Sequence, residues 1–136
     1  MDAVGRGDSA EASAGRIAIR NILVATDFSP AATRALVYAQ SLAGTYGATL
    51  HVVHVVKDLG AAAPIEAPAL EYDRLQADLE RKAEDQLHVA IAGTGTSAVD
   101  LKALVLKGLS PAAAILAYAH ATSVDLILLG THGRGG

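Results

Sequence analysis

The spacing of apolar positions changes period several times along this chain. "IAIRNILVAT", Ile17 to Thr26, is rich in β-formers and continuously apolar in its second half, which predicts a strand covered on both faces. In "DFSPAATRALVYAQSLAGTYG" the period becomes helical: Ala32, Ala35, Leu36, Ala39, Leu42 and Ala43 share one face. Ser29 stands as an N-cap, Pro30 takes the first helical position where its missing N–H costs nothing, and Gly44 or Gly47 can close the helix. "ATLHVVHVV", Ala48 to Val56, predicts a second strand, and "KDLGAAAPIEAPA", with its two prolines and a glycine, predicts a loop. From about Pro68 to Ile91, Leu75, Leu79, Ala83, Leu87 and Ile91 recur every four residues, so a long helix is expected, its charged face solvated. On that face Asp78 and Lys82 form an acid-before-base pair at i, i+4. "GTGTS" reads as a turn, and "AVDLKALVLKG" alternates over part of its length, as an edge or near-edge strand would. "LSPAAAILAYAHATS" repeats the helix start with Ser110 and Pro111, and "VDLILLG" is a fourth apolar strand.

The order β-α-β-α-β-α-β predicts an α/β fold: an open parallel sheet with helices on its faces and right-handed crossovers. A length of 136 residues suits one domain, and 51% hydrophobic against 18% charged residues places the chain in the globular class. Residues 1–16, from "MDAVGRGDSAEASAGR", read as a flexible tail before a domain spanning 17–136. That tail lacks the apolar stretch of a signal peptide and no later run reaches the length of a membrane span, so the expected location is cytoplasmic, without a membrane partner. A net charge of −3 offers no basic field for nucleic acid, and the absence of cysteine excludes disulfides and thiolate metal sites.

In open parallel sheets, ligands bind beyond the carboxyl ends of the strands where the strand order reverses, which directs attention to the loops "TDFSP", "KDLG", "GLSP" and "GTHGRGG". Backbone N–H groups in the last of these can form a concave donor set for phosphate oxygens, to which Thr131, His132 and Arg134 can add side-chain donors; the plainer alternative is an ordinary β-α turn. The loop is neither a P-loop, since G-x-x-x-x-G-K-[ST] is missing, nor a dinucleotide fingerprint, since no G-x-G-x-x-G follows the first strand. Asp27, just past the first strand, has three open uses: a hydrogen bond to a ribose or base, a divalent ion carried by a nucleotide, or a cap on the following helix, where Ser29 competes with it. The histidines make no metal set: His51 and His54, three apart in a strand, point to opposite faces, and His54 reads as a packed residue near the strand end. No G-x-S-x-G elbow or nucleophile–base pair is visible.

Taken together, "NILVATDFSPAATRAL", "LHVVHVV", "LVLKGLSPAAAIL" and "VDLILLGTHGRGG" resemble a universal stress protein domain in order and spacing, from Asn21 to Gly136. The resemblance implies a Rossmann-like parallel sheet in the order 3-2-1-4-5 with its switch point between the first and fourth strands. It implies nucleoside contacts at Ala25, Thr26 and Asp27, and a backbone group at Val55 that holds adenine. The family's phosphate motif, G-x2-G-x9-G-[ST], carries over to Gly130 and Gly133, so that ATP, accompanied by Mg or Mn, is expected at Asp27, Val55 and Gly130 to Gly136, including Gly135. The sequence stops three residues past Gly133, so the final Gly-[ST], the last helix and the fifth strand are missing from it, which reads as a C-terminal truncation. The implied function is a stress-response regulatory domain without catalytic residues, capable at most of slow ATP hydrolysis. It would form a homodimer when intact and act on regulatory protein partners; the alternative is a member that binds no nucleotide and works through protein contacts alone.

Overall fold

A computed structural model of the chain describes residues 18–62, 68–95 and 98–131; the tail and His132 to Gly136 lie outside the described residues. Four strands form one parallel sheet: β1 (Asn21–Ala25), β2 (Thr49–Lys57), β3 (Leu101–Gly108) and β4 (Leu126–Leu129), in the order β3-β2-β1-β4. The sequence of connections runs outward from β1 to β2 to β3 and then returns across the sheet to β4. The order therefore reverses between β1 and β4, as the resemblance implied.

Right-handed crossovers put helices made on the outward run on one face and those of the return on the other. Helix α1 (Pro30–Tyr46) begins with Ser29 Oγ accepting the Ala32 N–H at 3.2 Å and ends on left-handed Gly47, whose N–H reaches the Ala43 carbonyl. Of the two expected terminators it is Gly47 that closes the helix. Its buried face is mostly alanine (Ala31, Ala32, Ala39, Ala43) around a single Leu36, so the helix axis can sit close to the sheet. Helix α3 (Ala69–Ala92) covers the same face, where it buries Ala83 and Leu87, the latter in the cluster that holds Ile22, Val24, Leu50 and Val52. Helix α4 (Pro111–Ala121), capped by Ser110, covers the other face, where Ala119, Ile115 and Tyr118 meet Leu23 and Val53. Alternate residues of β1 and β2 thus serve two cores, which is why their sequences are apolar without alternation.

Four local expectations change. The first strand begins at Asn21, four residues later than its β-rich composition suggested: β2 starts at Thr49, whose N–H bonds the Arg20 carbonyl, and Asp125 occupies the Arg20 and Asn21 amides with its carboxylate at 2.8 and 3.0 Å. Part of the expected loop forms a one-turn helix, α2 (Leu59–Ala62), because Asp58 Oδ1 accepts the Ala61 N–H and Gln76 Oε1 accepts the Leu59 N–H. Leu75, expected in the core stripe, is 51% exposed, and the residues α3 does bury, Ala83 and Leu87, come two turns or more later. On the same helix Asp78 pairs with Arg81 at 2.9 Å, one residue short of Lys82.

Candidate functional site

At the carboxyl ends of β1 and β4 the two strands part, and a cleft of about 240 Å³ opens between them. Its walls include Ala25, Thr26, Asp27, Val55 and Gly130, all selected from the sequence, so loops 75 to 105 residues apart in the chain meet as the strand-order rule requires. Thr131 lines an adjoining groove that runs between β4 and α1 and shares Leu129 and Gly130 with the cleft. His132, Gly133, Arg134, Gly135 and Gly136 lie outside the described residues.

The turn after β1 is built from its own side chains. Thr26, 6% exposed, continues the ladder with its N–H on the Val53 carbonyl at 2.9 Å, while its Oγ1 accepts the Phe28 N–H at 3.0 Å. Asp27 is exposed, and its Oδ1 accepts the Ser29 N–H at 3.0 Å, which leaves the first turn of α1 to Ser29. Of the three uses left open for Asp27, the cap on the following helix is taken by Ser29, and Asp27 instead holds the Ser29 N–H ahead of that cap. Phe28 takes a left-handed φ of 67°, uncommon for a bulky residue and worth about 1–3 kcal/mol of strain, so the surroundings must hold it. One restraint is His54, whose ring centroid lies 4.4 Å from that of Phe28.

Val55 offers its backbone rather than its side chain. In a parallel ladder one residue directs both N–H and C=O to the same neighbour, and the next residue to the other. Thr49 and Val53 bond toward β1, while Leu50 and Asp58 bond toward β3, so Val55 faces the β1 side. The β1–β2 pairing ends at Ala25 with Val53, which places the Val55 donor and acceptor beyond it, at the cleft.

Gly130 makes its closest approach to protein backbone. A Cβ there would lie 2.5 Å from the Ala31 carbonyl carbon and oxygen and 2.7 Å from the Ala32 nitrogen. The end of β4 is pressed onto the first turn of α1, where the helix dipole favours negative charge. Five wall residues were missed from sequence: Ala32, His54, Pro111, Ile115 and Leu129. Pro111 follows the end of β3, so the same carboxyl-end rule reaches it, and Ile115 lies one turn further on the same helix face. Among the described residues no cluster of His, Asp and Glu is grouped to hold a metal ion on its own, and no helix is long and apolar enough to cross a membrane.

The chain matches the Universal stress protein family over residues 18–136. It belongs to that family. A universal stress protein of Thermus aquaticus, from the QAH/OAS sulfhydrylase 3' region, is 40% identical over 116 residues, which is 85% of this chain and 80% of the relative. Among solved structures, UspA of Lactobacillus plantarum superposes with a TM-score of 0.67 at 28% identity, covering 88% of this chain and 83% of that one. A universal stress protein in complex with cAMP gives a TM-score of 0.50 at 25% identity over 82% of this chain and 71% of its own. For this universal stress protein, the family match spans all four strands of the sheet.

Proposed function

We propose that this universal stress protein is a regulatory domain that binds an adenine nucleotide, ATP with a divalent ion such as Mg or Mn, in the cleft between β1 and β4, without catalytic turnover of its own. The observation that carries the reading is the Val55 backbone, set beyond the last β1 pairing with donor and acceptor on one side. Adenine presents an acceptor at N1 beside a donor at N6, which matches that pair, whereas guanine presents the reverse order at N1 and O6. The cAMP complex of a structural relative supports an adenine nucleotide as the ligand class. The exposed Asp27 carboxylate fits a divalent ion or a ribose hydroxyl, and the close seat of Gly130 on the α1 N-terminus suits phosphate oxygens passing over it. The resemblance adds a cytoplasmic homodimer to this reading, with regulatory proteins as its partners.

Titration calorimetry on the intact protein tests it. ATP should bind with GTP clearly weaker, and Asp27→Asn should weaken ATP by about tenfold or more through loss of the charge. Because Asn keeps an acceptor for the Ser29 N–H, its melting temperature should stay near the parent's, which separates ligand binding from helix entry. No heat of ATP binding by the intact protein would overturn the proposal.

A further inference from the structure

The hydrogen-bond ladder between β1 and β2 breaks at an informative place. Its rungs run regularly from the Thr49 N–H on the Arg20 carbonyl to the Thr26 N–H on the Val53 carbonyl, both 2.9 Å. Continued by one rung, the Val55 N–H would donate to the Thr26 carbonyl. That carbonyl instead lies 2.7 Å from His54 Nδ1, which must carry the proton because a carbonyl can only accept. His54 and Phe28 pack ring on ring, and Phe28 belongs to the core face shared by α1 and α3, so the turn leaves the sheet toward the side from which the imidazole reaches it. The left-handed Phe28 and the diverted carbonyl are two parts of one arrangement.

We infer that His54 is a positioning residue for the nucleotide site: its imidazole draws the Thr26 carbonyl out of the β1–β2 ladder and so keeps the Val55 N–H for the ligand. The inference rests on the adenine-nucleotide reading above for its purpose, but its structural core can be tested without nucleotide. A ligand that needs a backbone donor at the end of a strand gains from a device that stops the neighbouring strand from taking it. A histidine one residue before the donor, reaching across to the competing acceptor, is such a device.

The test uses the full chain and three forms: the parent, His54→Phe, which keeps a ring on Phe28 but has no donor, and His54→Asn, whose amide nitrogen can stand near the position of Nδ1. Amide hydrogen exchange, resolved by NMR without nucleotide, should show the Val55 N–H exchanging about tenfold more slowly in His54→Phe, because the released Thr26 carbonyl can close the next rung. The Asn form should exchange like the parent. In calorimetry His54→Phe should bind ATP about three- to tenfold more weakly, the range of one neutral hydrogen bond, with His54→Asn restoring most of the loss. A merely structural role for His54 would lower stability without slowing exchange at Val55. Unchanged Val55 exchange in His54→Phe, or an Asn form as impaired as the Phe form, overturns the inference. Should His54→Phe fail to fold, His54→Leu takes its place with the same expected results. Absence of ATP binding by the parent would sink the nucleotide reading alone, since the exchange comparison still decides the role of His54.

Discussion

Gly130 occupies a position where a side chain has no room, since an added Cβ would meet the Ala31 carbonyl group at 2.5 Å. The colliding atoms are backbone in the first turn of α1 and cannot rotate aside, so either β4 or the helix must shift. Gly130→Ala should therefore lower stability by about 1–3 kcal/mol, read as a lower urea midpoint at unchanged slope. The loss should appear without any nucleotide present. The glycines of "GTHGRGG" announced a close approach, but not what is approached. At Gly130 the first answer is the chain itself, because contact between residues 31 and 130 exists only once β1 and β4 lie side by side. Asp27 shows the same division: its position after a buried strand marked it, while its bond to the Ser29 N–H and its place beside Val55 came from the folded turn. His54 carried a weaker signal still, that of a packed histidine near a strand end, because its acceptor is 28 residues away.

Helix starts were the most legible elements, since their chemistry is local. Ser29 and Ser110 each precede a proline at the first helical position, and each accepts an amide three residues on, at 3.2 and 3.3 Å. Ser110→Ala should cost about 1 kcal/mol, and combining it with Ser29→Ala should give nearly the sum, because the two caps serve separate helices on opposite faces. Thermal unfolding of the two single variants and the double variant checks both statements. Strand limits were less legible, because a strand ends where its partner ends. Ala18 and Ile19 pair with neither β2 nor β4, while Asp125 occupies the Arg20 and Asn21 amides from 105 and 104 residues away in sequence. The short helix α2 was hidden for a similar reason: Gln76 of α3 holds the Leu59 N–H and the Lys57 carbonyl, a contact that composition cannot express.

At the scale of the whole molecule, the two ends of the sheet differ in kind. The carboxyl end holds the cleft, and the amino end holds a buried polar set: His51, 3% exposed, meets the Tyr118 hydroxyl at 2.7 Å through Nδ1 and Asn21 Oδ1 at 3.0 Å through Nε2. With a carbonyl oxygen facing Nε2, that nitrogen donates and Nδ1 accepts from Tyr118, so the neutral ring is fully paired. Burial, and then the Lys102 ammonium, push the His51 pKa below its ordinary 6.5, while Asp100 opposes them in part. Unfolded chains then bind a proton that the folded protein resists, so stability should fall as pH drops below 6.5 and level off once the folded His51 itself is protonated. Asp125 acts in a lower window. Backbone amides of Arg20 and Asn21 hold its carboxyl below the ordinary 3.8, so the stability it contributes is present above that value and lost as pH falls through the lowered one. Urea unfolding at a series of pH values should show two separate losses, and His51→Gln should remove the upper one while leaving the lower.

Local chemistry, read from the sequence alone, determined the order of the strands and of the three longer helices along the chain, the Ser29 and Ser110 caps and the two-faced burial of the central strands. These are properties of neighbours within a few positions, where side-chain period and capping geometry act directly. Tertiary structure alone decided which distant groups meet: the Thr26 carbonyl accepts from His54, the Asp125 carboxylate accepts from the start of β1, and Gly130 packs on the backbone of α1. Such pairings join residues 28 to 105 positions apart, and they are fixed only when the strand order β3-β2-β1-β4 brings those residues to the same end of the sheet.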